Sequence, residues 1–140
     1  MVPDGYETLS PSPFGELIGP LYTGLRSSLT IAVRVAAEHA NRGGCAHGGL
    51  IMTIADIAVS RAAREQLPPD SRVATADLHI AFLESVREGD WLEAVPSIDR
   101  LGRSLIHASC EIQADSKTVA RVLATIALLP AGAGSPRTPT

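Results

Sequence analysis

The chain has 140 residues, 45% of them hydrophobic and 19% charged, with a formal net charge of −3. That size fits one domain with a sizeable core. The mild acidity, with no basic run and no aromatic stacking platform, argues against nucleic acid as a partner, and no run of about 18 apolar residues predicts a membrane span.

In chain order, Met1 to Glu7 is acidic and proline-bearing, unlike a signal peptide. A cytoplasmic address is therefore expected, and Cys45 and Cys110 read as free thiols. Residues 1–13, with Pro3, Gly5, Pro11 and Pro13, read as a flexible N-terminal arm, residues 14–130 as a single domain, and residues 131–140 as a mobile C-terminal tail. Leu29 to Ala36 alternates, with Ile31, Val33 and Val35 on one face, and predicts a strand. Asn41 to Gly44 is turn chemistry.

A helix is predicted from His47 to about Gln66, stopped by Pro68-Pro69. On its wheel Leu50, Ile51, Met52, Ile54, Ala55, Ile57, Ala58 and Val59 cover most directions, which predicts burial on nearly all sides. Four strand candidates follow, Val73–Leu83, Trp91–Leu101, Leu105–Ala114 and Val119–Leu129, separated by Glu88-Gly89-Asp90, Gly102 and Asp115-Ser116-Lys117. The order strand, long helix, antiparallel meander predicts an α+β domain: a curved sheet wrapped around one central helix.

The chemistry concentrates between Asn41 and Asp56. From Gly43 to Ser60 the ionisable side chains are Cys45, His47, Asp56 and nothing else. A glycine pair, Gly48-Gly49, opens the predicted helix, where free N–H groups can hold developing negative charge. Asp56 sits two turns further on, in an apolar setting that is costly for a carboxylate without compensation. Together these look like two halves of an acyl-transfer site. There is no Gly-x-Ser-x-Gly elbow, phosphate loop or dinucleotide fingerprint. Cys45-Ala46-His47 is too tight for a usual zinc knuckle, and His107 and Cys110 fall on opposite faces of a strand, so no metal site is expected.

Asn41 six residues before His47-Gly48-Gly49, Asp56 nine after His47, Thr75-Ala76-Asp77-Leu78-His79-Ile80, Glu88-Gly89-Asp90 and Gly102-Arg103-Ser104 form a recognisable set. From about Phe14 to Leu129 the chain resembles the hotdog-fold acyl-CoA thioesterases, and within them the phenylacetic-acid-degradation subgroup. The resemblance implies hydrolysis of an acyl- or aryl-CoA thioester to an acid and free CoA, with CoA part of the substrate and no separate cofactor. It implies that the Gly48 N–H polarises the thioester carbonyl and that Asp56 is general base or nucleophile. Asn41 and Thr75 assist, and His47 and Gly49, at the helix entrance, are substrate-binding, with His47 supporting the loop there. Arg103 and Ser104 reach the CoA phosphates, with Arg100 and Arg72 behind them.

Each residue also has a plainer role: Asn before Gly-Gly is ordinary turn chemistry, Thr suits strands, an Asp can pair with Arg61 or Arg64, and a hairpin Arg is usually solvated. His79, with Thr75 and Asp77, reads as the polar side of a half-buried strand, opposite Ala76, Leu78, Ile80 and Phe82.

Helix geometry adds a constraint. Gly48 and Asp56 lie eight residues apart, about 12 Å along the axis, whereas reacting atoms must meet within about 3.5 Å. One helix cannot easily bring both groups to one carbonyl. A homodimer with antiparallel helices and shared active sites solves this, and hotdog proteins form such dimers, paired as dimers of dimers into a homotetramer. The rival expectation is a non-catalytic acyl-CoA-binding or regulatory hotdog domain, which has no need of Asp56. Hotdog dehydratases are siblings, but their catalytic His motifs are absent.

Overall fold

Helix α2 (Gly48–Glu65) is the element around which the rest is arranged. Its buried residues, Leu50, Ile51, Ile54, Ala55, Ala58, Val59, Ala62 and Ala63, recur at three- and four-residue spacing and so share one side. Ile54 and Val59 are fully enclosed, each side chain contributing about 1.5–3 kcal/mol of transfer free energy, while the alanines let the sheet approach closely. The computed structural model describes residues 1–10, 12–25 and 27–130. The predicted C-terminal tail, residues 131–140, lies outside the described residues.

The wheel predicts a helix covered on nearly all sides, and here the single chain differs. Met52, Thr53, Asp56, Ile57 and Ser60 are only half-buried, because the sheet wraps one side of α2 and leaves the other open. No described helix is long and apolar enough to cross a membrane.

Seven described strands form one antiparallel sheet: β1 (Tyr6–Thr8), β2 (Leu21–Gly24), β3 (Ile31–Arg34), β4 (Arg72–Phe82), β5 (Trp91–Leu101), β6 (Leu105–Ala114) and β7 (Lys117–Leu129). Their spatial order is β1-β2-β3-β5-β6-β7-β4. The sheet is curved and the fold is the hotdog arrangement. In β6, Ile106, Ala108, Cys110, Ile112 and Ala114 are buried and the residues between them are not, the period-two pattern of a half-covered strand.

The predicted four-strand meander needs one correction. Only β5, β6 and β7 follow one another; β4 pairs with β7 at the far edge, and β3 takes the place beside β5. Residues 83–90 are too many for a tight hairpin. They cross beneath the start of α2, where the Ala46 N–H donates to the Val86 carbonyl at 2.7 Å.

The residues expected to form a loose arm are also corrected. β1 pairs with β2, and the short helix α1 (Pro13–Ile18) follows, capped by Ser12. The Tyr6 ring meets Trp91 edge-on at 5.0 Å. The Tyr6 hydroxyl donates to Glu93, which also accepts from Trp91 Nε1 at 3.1 Å. Burial, with Glu93 beside it, pushes the Tyr6 phenol up to about 12. These contacts hold the segment to β5.

The two cysteines differ in setting. Cys110 lies inside the core, and burial pushes its thiol up to about 12, whereas Cys45 is half-buried near the surface. The thiolate is the reactive form. Titration of the native protein with a chromogenic disulfide at pH 8 is therefore expected to modify Cys45 and spare Cys110, with both reacting in denaturant. Prompt reaction of Cys110 in the folded protein contradicts this packing.

Candidate active site

The start of α2 is held by side chains that have little freedom to do otherwise. His47 is the N-cap: its backbone is extended and its Nδ1 accepts from the Gly49 N–H at 3.0 Å. Its own N–H donates to the His39 carbonyl at 2.8 Å. Asn41 folds the preceding loop, its Oδ1 accepting from the N–H groups of Gly43 and Cys45 at 2.9 and 3.2 Å. The Asn41 amide nitrogen has no partner among the described residues. The Gly48 N–H, at the first helical position, has no intrahelical acceptor and none elsewhere among the described residues.

Gly48 lets the exposed Phe82 ring rest directly against the helix start. A Cβ there would lie 2.9 Å from that ring. Gly48, Asn41, Cys45 and Phe82 line a cleft of about 480 Å³. Gly49 and His47 open instead onto a different cleft, shared with Phe14 and His39. The glycine pair therefore serves two faces.

Asp56 is placed by β4. Thr75 Oγ1 donates to Asp56 Oδ1 at 2.5 Å. Ser60 Oγ lies 3.4 Å from Thr75 Oγ1; since the Thr75 proton is directed to Asp56, Ser60 is the donor of that contact. Neither Arg61 nor Arg64 forms an ion pair with Asp56 among the described residues. The carboxylate opens into a cleft of about 400 Å³ with Ser60, Arg61 and Arg64.

This contact corrects the predicted face of Thr75. Simple alternation groups Thr75 with Asp77 and His79, away from Leu78 and Ile80. The β4–β7 register instead shifts between Thr75 and Asp77, so Ala76 is an inserted residue and the alternation reverses there. Thr75 thus shares the helix-facing side with Leu78 and Ile80, which pack on the core, while Asp77 and His79 remain exposed.

Within one chain the expected site residues fall into separate groups. The clefts of Gly48 and Asp56 have no lining residue in common. Arg103 and Ser104 are exposed at the β5–β6 hairpin, where Gly102 is required because a Cβ would lie 2.5 Å from the Leu105 carbonyl. The Ser104 carbonyl accepts from the Leu128 N–H, and Leu128 pairs with Val73. From Val73 to Phe82 the strand runs about 30 Å at 3.3 Å per residue, so Arg103 and Ser104 lie at the Asp56 end, far from Gly48.

Sequence reasoning missed Phe82, His39 and Ser60. His39 is buried and clamps two segments, Nδ1 accepting from the Ala36 N–H and Nε2 bonded to the Ile18 carbonyl. Nothing in its local pattern announces that. Ser60 was findable, because it follows Asp56 by four residues and so shares its helix face.

The cap has a direct test. His47→Ala is expected to lower unfolding free energy by about 1 kcal/mol, read from urea denaturation, and His47→Asn, which restores a capping acceptor, to recover most of it. Equal stability in all three proteins contradicts the capping role.

Three comparisons bear on the family. The thioesterase superfamily profile matches residues 43–120. A Pseudomonas aeruginosa protein named "Putative esterase PA0474" is 34% identical over 122 residues, covering 85% of this chain and 91% of that protein. Among solved structures, the Bacillus halodurans BH2602 protein with CoA superposes with a TM-score of 0.77 at 22% identity, over 85% of this chain and 77% of that one. The E. coli PaaI protein from the phenylacetic acid degradation operon gives 0.68 at 24% identity, over 72% of each chain. These two structures share the fold, and the profile and the P. aeruginosa relative carry the assignment: the chain belongs to the thioesterase superfamily.

Proposed function

We propose that the protein is a cytoplasmic acyl-CoA thioesterase of the PaaI-like kind, hydrolysing an acyl- or aryl-CoA to a carboxylic acid and free CoA. The observation that carries this reading is the pairing of an unsatisfied N–H at Gly48 with a threonine-anchored carboxylate at Asp56 on the same helix. A structural neighbour with CoA bound supports a CoA thioester as substrate. Superfamily membership supports hydrolysis.

The active unit is a homodimer, paired into a dimer of dimers. The open flank of α2 and the exposed edge strand β4, with Ala74, Thr75 and Ala76 uncovered, support a second copy packing there with its helix antiparallel. Each site then takes Gly48 from one protomer and Asp56 from the other.

In that site the Gly48 N–H donates to the thioester oxygen, and the helix dipole favours the charge that grows on it. Asp56 acts by one of two routes. As general base it removes a proton from water while the water oxygen bonds to the carbonyl carbon; as nucleophile its oxygen forms an anhydride that water then opens. In either route the carbon–sulfur bond breaks, CoA leaves as thiolate and takes up a proton. Thr75 occupies Oδ1 of Asp56 and so leaves Oδ2 for the chemistry. With Oδ1 of Asn41 tied into the loop, its amide N–H groups are the part available to substrate or water. Arg103 and Ser104 meet the phosphates of CoA. The reaction uses no metal and no cofactor beyond the CoA of the substrate.

Thiol release from a panel of acyl- and aryl-CoAs tests this. Wild type is expected to turn over, and Asp56→Asn to lose about 10²–10⁴-fold in kcat, with Thr75→Val losing about tenfold through the missing hydrogen bond to a charged group. Equal rates in wild type and Asp56→Asn contradict the assignment. Tight binding of acyl-CoA without thiol release makes the protein a binding domain instead.

A further inference from the structure

We propose that the cleft beside Asp56 receives a carboxylate at the far end of the acyl group, so that the substrates are CoA thioesters of short dicarboxylic acids and Arg61 and Arg64 determine specificity. This rests on Asp56 being the catalytic carboxylate.

The cleft is lined by two arginines whose hydrogen-bonding capacity the fold does not use up. Arg61 Nη2 donates to the Ser28 carbonyl at 2.8 Å, but Arg61 Nε is buried without a hydrogen-bond partner among the described residues. A buried N–H of a cation left unpaired is costly and uncommon. Arg64 is exposed at the same cleft, and its guanidinium has no protein acceptor among the described residues. Asp56 is the acid lining this cleft, and its bond goes to Thr75. Two forked cations therefore face one carboxylate, which leaves an excess of positive charge. Ile57 and Val73 supply apolar wall between them. Methylenes ending in an anion match such a surface, because a guanidinium binds a carboxylate through two parallel N–H groups.

Length selects the acyl tail over the phosphates of CoA. Arg61 and Arg64 follow Asp56 by five and eight residues, about 7.5 and 12 Å of axial rise. Both nevertheless line the same cleft as Asp56. A few methylenes from the thioester carbonyl span what remains. The pyrophosphate of CoA, in contrast, is separated from the sulfur by the whole pantetheine arm. An alkanoyl tail gives the two guanidiniums no anion to pair and so forgoes that contribution.

The test compares kcat/KM for succinyl-, glutaryl- and adipyl-CoA with the alkanoyl-CoAs of equal carbon number. Each acyl group is also presented on N-acetylcysteamine, which lacks phosphates. Wild type is expected to favour the carboxyacyl series by about tenfold or more on both carriers. Arg64→Met and Arg61→Met are expected to bring that ratio close to one. If Arg61→Met does not fold, Arg61→Lys, which keeps the charge and loses the fork, is expected to lower the ratio. Three results overturn the proposal: no carboxyacyl preference in wild type, equal losses for both series in the arginine variants, or a preference confined to CoA carriers, which assigns the arginines to phosphate. Failure of the underlying catalytic reading looks different, since then no thioester of either series depends on Asp56.

Discussion

The rise of an α-helix, 1.5 Å per residue, is the constraint on which the whole site depends. It places Gly48 and Asp56 about two turns apart on one rigid rod, which the sheet grips from a single side. The rod cannot bend to bring them together, because its buried face is filled by Ile54, Ala55, Ala58 and Val59 against the strands. The two groups therefore occupy separate clefts in each chain. In the proposed dimer, a two-fold partner with an antiparallel helix would restore the missing proximity twice over, once at each end of the paired rods.

The surroundings of each group follow the same logic of satisfied and unsatisfied hydrogen bonds. His47 and Asn41 use their acceptors to fix the loop and the first turn, and what they leave over at that end is donors: the Gly48 N–H and the Asn41 amide nitrogen. At the other end Thr75 and Ser60 hold one oxygen of Asp56, and the donors left over belong to Arg61 and Arg64. Donors without acceptors at both ends suit a substrate rich in acceptors, which describes a thioester with anionic groups beyond it. The glycine at position 48 serves the same end, since without a side chain it leaves its N–H open beside the Phe82 ring.

Much of this was legible in the sequence, and the failures have physical causes. Helix α2 and strands β5, β6 and β7 emerge from periodicity because each is long and covered on one side. The three- and four-residue strands β1 and β2 and the six-residue helix α1 are too short to show a period, and their stability comes from contacts remote in sequence, such as Tyr6 with Trp91 and Glu93. The position of β4 beside β7 depends on which strand claims the slot next to β5, a long-range competition that local pattern does not encode. Thr75, which donates to Asp56, was assigned to the wrong face, because one inserted residue, Ala76, reverses the alternation. The open flank of α2 carries the opposite lesson: its apolar wheel predicts cover that a single chain does not supply.

The shared site is the central claim, and mixing two inactive variants tests it most directly. Asp56→Ala removes the carboxylate. Gly48→Pro removes the N–H while suiting the first helical position, and His47 already has the extended backbone that a residue before proline requires. The half-exposed Phe82 ring has room to turn aside for the added carbons. Each variant alone is expected to be inactive. After subunit exchange at equal amounts, a two-fold dimer places one intact site in each mixed pair, so about a quarter of wild-type activity should return. Mixtures that exchange subunits yet stay inactive would mean that each chain carries its own complete site, which contradicts a site built across the dimer.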